Sequence, residues 1–111
     1  MTAQTLTIVF TDIKDFTART SRSSRAEVVA LLQRHEELLR PIVLAHGGTV
    51  VKTIGDAFLL TFHSPTNAVL CGLRLQARLR QYNREAPAEE QIHVRIAINT
   101  GEVELIGDDV Y

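Results

Sequence analysis

The stretch VKTIGDAF, residues 51–58, has the pattern of a β-hairpin tip, and the interpretation of the whole chain starts from it. Gly55 and Asp56 are typical of a tight two-residue turn, and apolar, β-branched runs flank them on both sides. We therefore predict two strands, at 49–54 and 57–62, joined by this turn. The tip also brings a lysine and an aspartate close together, a pair of charges that a purely structural turn does not need.

Two further strands are predicted, one on each side of the hairpin. Residues 5–11 are apolar and β-branched and predict a mostly buried first strand. Its side chains alternate between Leu6, Ile8 and Phe10 on one side and Thr5, Thr7 and Val9 on the other. Isoleucine and valine alternate with other residues from 92 to 98 and predict a fourth strand, after which GEVELIGDD, 101–109, is predicted to turn away.

Helix signals fill both gaps between these strands. Ser24 and Glu27 have the spacing of a capping box, and apolar residues at helical spacing follow until Gly47. Ser64 and Pro65 start a second helix, which polar residues end near position 83. The order strand, helix, hairpin, helix, strand predicts an α+β domain of the ferredoxin-like split βαβ type, with helices on one face of an antiparallel sheet.

This topology places the end of the first strand beside the hairpin turn, so Asp12 and Asp56 are predicted to meet at one edge. Two adjacent carboxylates repel unless a cation neutralises them, and carboxylate oxygens suit Mg²⁺ or Mn²⁺. The backbone carbonyl of Ile13 is a further candidate ligand. The structural alternative is that Asp12 and Asp15 cap a helix, Asp56 only favours the turn, and Lys52 is an exposed strand residue.

The composition limits the other classes of function. The 111 residues are 45% hydrophobic with a formal charge of −1, which indicates one domain without the basic excess typical of nucleic-acid or anionic-membrane binding. Cys71 is the only cysteine, so an internal disulfide is excluded. No apolar run is long enough to span a bilayer, and a cytoplasmic location is expected. Four histidines lack metal-ligand spacing and are interpreted as surface or helix-end residues: His35, His46, His63 and His93.

Four pieces of the chain resemble, in order and spacing, the class III adenylate/guanylate cyclase catalytic domain. They are FTDIKDFT (10–17), VKTIGDAFLLTF (51–62), RIAINTGEV (95–103) and DDVY (108–111). The resemblance implies a palm-like nucleotidyl cyclase fold, truncated at its C-terminus. Residues 1–111 would then be a single, incomplete cyclase-type domain whose final helix and strands are missing.

The resemblance also implies a role for particular residues. Asp12 and Asp56 would hold two Mg²⁺ or Mn²⁺ ions with the carbonyl of Ile13, and Lys52 and Asp109 would recognise the adenine base. Backbone amides from Ile13 to Thr17 would face the triphosphate. These last positions include two substrate-binding candidates, Phe16 and Thr17.

The implied reaction is cyclisation of ATP to 3′,5′-cyclic AMP and pyrophosphate by a two-metal mechanism. Such sites form between two subunits packed head to tail, so a homodimer is expected, with regulatory domains fused in a longer parent. The family's Asn and Arg lie beyond Tyr111, and we expect the 111 residues alone to be inactive or nearly so.

Two alternatives stay open. Asp15 stands where the family usually has glycine, and this favours a degenerate cyclase-like module that binds nucleotide or dimerises without turnover. A diguanylate cyclase is suggested by IGDAF at 54–58, but Ala57 occupies the position of an acid that such an enzyme needs.

Overall fold

The computed structural model describes residues 2–111, which form one five-stranded antiparallel sheet with its helices on one face. The elements follow the order β1 (Thr2–Ile13), α1 (Phe16–Thr20), α2 (Arg25–Ala45), β2 (Thr49–Ile54), β3 (Ala57–Phe62), α3 (Pro65–Glu85), a 3₁₀ turn (Ala88–Glu90), β4 (Val94–Ile106) and β5 (Asp109–Val110). The strand order is β2-β3-β1-β4-β5. The predicted ferredoxin-like split βαβ topology is therefore confirmed, because β3 lies between the parallel strands β1 and β2.

The hairpin has the predicted bounds, and its turn explains the glycine. Gly55 has a φ of 58°, whereas Asp56 does not have a positive φ, the pattern of a type II′ turn with glycine in its first position. The pairing of β3 with β1 continues up to Phe58 opposite Thr11. The turn therefore lies beside the last residues of β1, as the sequence predicted.

The first strand is longer than predicted, and its core face is not the face with the largest side chains. Thr7, Val9 and Thr11 are buried under the helices, whereas Phe10 on the opposite face is 40% exposed. Leu6, on the same face as Phe10, is buried. Small and β-branched residues pack under the helices because the ring of Phe62 and the side chains of α2 and α3 fill that space.

Both long helices begin as predicted. The Ser24 hydroxyl accepts a hydrogen bond from the Glu27 amide at 3.1 Å and the Glu27 carboxylate accepts one from the Ser24 amide at 2.9 Å, which completes the capping box. The Ser64 hydroxyl accepts from the Asn67 amide at 3.1 Å. None of the helices within residues 2–111 is both long and apolar enough to cross a bilayer.

The prediction for His35 was wrong. This side chain is 2% exposed, and its ring lies 4.8 Å from that of Phe58, between α2 and the sheet. Burial lowers the pKa of His35, and the negative charge of Asp56 partly opposes that shift. The imidazole replaces an apolar residue of the α2 face, so helical spacing alone could have placed it in the core. The other three histidines are at exposed or intermediate positions, as predicted.

The segment GEVELI was expected to turn away, but it continues β4 to Ile106, where Gly107 starts the turn into β5. The paired ends of β1 and β4 extend past the end of β3. This ribbon curves over the open face of the sheet, so that β5 contacts β2 although the two strands are at opposite ends of the sheet order. The curvature also explains why Leu6 is buried.

Candidate active site

A cleft of about 480 Å³ lies at the turn end of the sheet, on the side away from the long helices α2 and α3. It is lined by residues from the end of β1, from α1, from the hairpin turn and from β4. These include the predicted site residues Asp12, Ile13, Phe16, Thr17 and Asp56, together with Phe10, Asp15 and Arg95. The structure therefore brings both predicted metal aspartates to one cleft.

Asp56 is fixed by the backbone of β1. Its Oδ2 accepts a hydrogen bond of 2.8 Å from the amide of Ile13, which ties the hairpin turn to the end of the first strand. No hydrogen bond from residues 2–111 reaches its other carboxylate oxygen. A turn-favouring role alone does not account for this contact, because the contact is made outside the hairpin.

Asp12 is bound by an arginine that the sequence did not single out. Arg95 lies directly opposite Asp12 in the β1–β4 ladder. Its Nε donates to Oδ1 at 2.8 Å and its second terminal nitrogen donates to Oδ2 at 3.1 Å. The hydrogen bond to Asp12 raises the pKa of Arg95. Asp12 and Arg95 are each next to an apolar residue in sequence, and only the strand register shows that they are paired.

The donor set fits a divalent cation of the hard type. Asp12, Asp56 and the carbonyl of Ile13 offer oxygen atoms at one cleft, and one oxygen of Asp56 is unengaged. No group of three or more His, Cys, Asp or Glu side chains able to hold a metal occurs in residues 2–111. Such a site would therefore draw its remaining ligands from substrate and water.

The loop between β1 and α1 differs in part from the prediction. Of the amides expected to face a triphosphate, that of Ile13 is bound to Asp56, and that of Lys14 donates to the His93 carbonyl at 2.7 Å. The later amides, at Asp15, Phe16 and Thr17, stay candidates. Within residues 2–111, Asp15 is the one non-glycine residue with a positive φ, 59°, and it precedes α1 without a side-chain cap. Asp15 therefore stands at the N-cap position of α1, but its side chain does not cap the helix.

Helix α1 has little core of its own and is held from outside. It has five residues, none of them buried. The guanidinium of Arg19 donates to the backbone carbonyls of Glu89 and Gln91, and this ties α1 to the segment before β4. Phe16 packs against the edge of the core. These contacts fix the part of the loop that lines the cleft.

The two predicted base-recognition residues bind each other. Nζ of Lys52 donates to Oδ2 of Asp109 at 2.8 Å, and Oδ1 of Asp109 accepts from the Val110 amide at 2.8 Å. The hydrogen bond between them raises the pKa of Lys52 and lowers the pKa of Asp109, which the Val110 amide lowers further. The curved ribbon brings β5 across to β2 and so makes this contact.

The paired lysine and aspartate lie outside the cleft that holds the metal candidates. Lys52 is opposite Leu59, which is opposite Phe10, so Lys52 points to the same open face as Phe10 and Asp12. It is nevertheless absent from the lining of the cleft, as is Asp109. The open face thus has a carboxylate end, with Asp12 and Asp56, and a lysine end, with Lys52 and Asp109.

A family model described as the adenylate and guanylate cyclase catalytic domain matches residues 1–109. The chain belongs to this family. The match supports neither the diguanylate cyclase alternative nor a nucleic-acid-binding role, and it agrees with the resemblance seen in the four sequence pieces.

Individual relatives agree with the family match. The serine/threonine-protein kinase pkn2 of Myxococcus xanthus is 43% identical over 107 residues, which are 96% of this chain and 13% of that protein. Putative adenylate cyclase 3 of Rhizobium meliloti is 31% identical over 104 residues, 94% of this chain and 18% of that protein. The crystal structure of an adenylate/guanylate cyclase/hydrolase from Silicibacter pomeroyi has a TM-score of 0.87 at 28% identity and covers 99% of this chain and 64% of that one.

The chain spans less than a fifth of the length of these two curated relatives. Proteins named as adenylate cyclases and as guanylate cyclases are both among the matches. Family membership alone therefore does not select the nucleotide base.

Proposed function

We propose that this domain converts ATP to 3′,5′-cyclic AMP and pyrophosphate, using two Mg²⁺ or Mn²⁺ ions at a site shared by two copies packed head to tail. In this proposal, residues 1–111 belong to a single cyclase domain. The observation that carries it is the shared cleft of Asp12 and Asp56, in which the Asp56 carboxylate is fixed by the amide of Ile13.

The carboxylate end binds the phosphates through cations. Asp12, Asp56 and the Ile13 carbonyl would hold the two ions, and the bound ions would supply positive charge for the attacking ribose oxygen and the triphosphate. Asp56 needs no rearrangement for this role, because its tie to Ile13 already orients it. Phe16 and Thr17, at the start of α1, line the same cleft as the two aspartates, and their amides donate to phosphate oxygens in this proposal.

The lysine end reads the base. Lys52 donates to a ring nitrogen of adenine, and Asp109 accepts from the exocyclic amino group. Lys52 rather than glutamate at this position favours ATP over GTP, because guanine presents an acceptor and a donor in the reverse order. Their present contact shows that both side chains reach the same point above the sheet.

A dimer accounts for the separation of the two ends. Because the lysine end lies outside the cleft of the carboxylate end in one copy, one nucleotide would bridge the carboxylate end of one copy and the lysine end of its partner. Two-fold symmetry then gives two equivalent sites. Phe10 on the open face, 40% exposed, is among the side chains that such packing would cover.

A second candidate is a cyclase-like module that binds nucleotide or dimerises without turnover. One observation favours it, because Asp15 lines the same cleft as the metal aspartates and adds a negative charge where phosphates would lie. The divalent ions have to offset that charge for the first proposal to hold.

The test incubates the longest form of the protein that can be purified with ATP and Mn²⁺. Chromatography then measures the cyclic AMP and the pyrophosphate that are formed. Equal amounts of the two products support the cyclase. Mn²⁺-dependent binding of ATP without either product supports the non-catalytic module. A preference for GTP would keep the cyclase and overturn the assignment of the base.

A further inference from the structure

Both oxygens of the Asp12 carboxylate are engaged by a single side chain of this chain. Arg95 approaches from the neighbouring strand in a two-point contact, at 2.8 and 3.1 Å. Paired donors that meet paired acceptors in this way make an arginine–carboxylate contact directional and so orient the carboxylate. The contact is made on the open face, inside the cleft that holds Asp56.

Asp56, unlike Asp12, forms no salt bridge with a cationic side chain and has one free carboxylate oxygen within the described residues 2–111. One of its oxygens is held by a backbone amide and the other points to the cleft without a hydrogen bond from residues 2–111. The two aspartates of the carboxylate end therefore differ in availability. A cation that binds both carboxylates can bind the free oxygen of Asp56 directly, whereas the charge of Asp12 is already neutralised by Arg95.

Arg95 can leave at small cost. Its side chain is 69% exposed, whereas that of Asp12 is 33% exposed. Its only side-chain hydrogen bonds within residues 2–111 are those to Asp12. An arginine released from the pair is hydrated immediately, and exposed ion pairs contribute little net free energy.

We propose that Arg95 is a positioning residue for cation binding: it neutralises and orients Asp12 when no divalent ion is bound, and a divalent ion has to displace it from that carboxylate. The inference rests on the proposed function, in which Asp12 is a metal ligand. The displacement leaves the covalent structure unchanged, because the guanidinium passes to solvent as the ion takes the carboxylate oxygens. The cation affinity of the domain is then set by this competition.

The experiment titrates the 111-residue chain with Mn²⁺ alone and follows free Mn²⁺ by electron paramagnetic resonance. Arg95→Gln removes the charge and the two-point contact, and Arg95→Lys keeps the charge with a less directional contact. Lys14→Gln is the matched control, because it removes an exposed positive charge near the cleft that makes no hydrogen bond to Asp12. Asp56→Asn identifies the site that is being filled.

Arg95→Gln is expected to bind Mn²⁺ about two- to fivefold more tightly than the natural sequence, the range that an exposed ion pair supports. Arg95→Lys is expected to lie between them, and Lys14→Gln to change affinity by less than about half as much. Binding by Arg95→Gln alone, lost again on adding Asp56→Asn, would support the inference most strongly.

The inference fails if Arg95→Gln binds no more tightly than the natural sequence, or if Lys14→Gln has the same effect as Arg95→Gln. Either result leaves the proposed function intact as long as Asp56→Asn abolishes binding. Absence of Mn²⁺ binding in every variant overturns the inference together with the metal assignment. Thermal melting of each variant, followed by circular dichroism, verifies that Arg95→Gln and Arg95→Lys are folded.

Discussion

The two ends of the open face are held by different means. At the carboxylate end, Asp12 is on the inner strand β1, and Asp56 directly precedes the inner strand β3. The opposite faces of both strands are in the core, and Asp56 is also tied to a backbone amide. At the lysine end, Lys52 is on an edge strand with a bulge, and Asp109 is on a strand of two residues. A hydrogen bond to a backbone amide fixes Asp56 at the first end, whereas an exposed ion pair of small net free energy joins Lys52 and Asp109 at the second.

This difference indicates how one domain can combine fixed chemistry with adjustable recognition. Groups that stabilise charge in a transition state gain most from being oriented in advance. In the proposed function, Lys52 and Asp109 have to exchange their mutual contact for contacts to the nucleotide base. Substitutions at each end therefore test the two ends separately.

Substitution at the fixed end should have the largest effect. Asp56→Asn keeps the size of the side chain and an oxygen that accepts from the Ile13 amide, but removes the charge. We expect Mn²⁺-dependent binding of ATP to fall at least about 100-fold, as for loss of a group that stabilises concentrated charge. Isothermal titration with an ATP analogue that cannot be cyclised, because a methylene group replaces the oxygen between the α- and β-phosphorus, measures it, with Asp108→Asn as the control. Unchanged binding would contradict the metal assignment of Asp56.

Substitution at the adjustable end should change selectivity more than affinity. Lys52→Glu replaces a donor with an acceptor and places two carboxylates together at Asp109. We expect the ratio of ATP to GTP binding to fall about tenfold, the size of one hydrogen bond to a charged group. Competition titrations with both nucleotides measure it, and Lys14→Glu is the matched control. A ratio that stays the same would make Lys52 an ordinary exposed strand residue.

The stability of the domain should depend on pH through His35, which packs against Phe58 near the carboxylate end. Burial lowers the pKa of this imidazole from its ordinary value of 6.5, so the unfolded chain binds the proton more readily than the folded one. The free energy of unfolding should therefore fall as the pH drops below 6.5, because the unfolded chain takes up a proton that the folded chain takes up only at lower pH. Urea unfolding at several pH values tests this, with His35→Leu expected to remove that part of the slope. An equal slope in both proteins would exclude His35 as the cause.

The smallest effect, on stability, is expected at Asp15, in the loop between β1 and α1. A φ of 59° is strained for a residue with a Cβ atom, although aspartate tolerates it better than most. Asp15→Gly should be more stable than Asp15→Ala by about 1 kcal/mol, since only glycine relieves the strain. Thermal melting of both variants measures the difference. Equal stabilities would mean that the loop relaxes to another conformation.

The sequence predicted those features that depend on local pattern. The hairpin with Gly55, the capping box at Ser24 and the meeting of β1 with the turn all follow from turn chemistry, capping and topology. Family membership was likewise recognisable from four spaced pieces. These signals are short-range or repeat at fixed spacing, so one chain is enough to read them.

The features it missed depend on tertiary register and curvature. Whether Val9 or Phe10 faces the core is decided by which face the helices cover, and period-two alternation cannot say which. Arg95 pairs with Asp12 only because β4 lies in one register against β1. The contact of Lys52 with Asp109 requires the ribbon to curve across the sheet.

The central claim is that the carboxylate end of one copy works with the lysine end of another. The most direct measurement mixes Asp56→Asn with Lys52→Glu in equal amounts, in the longest form of the protein that makes cyclic AMP. Random pairing gives half heterodimers, each with one intact site of two, so we predict that the mixture regains about one quarter of the natural activity although each variant alone has little. A mixture that stays as inactive as its components would contradict a site shared between copies.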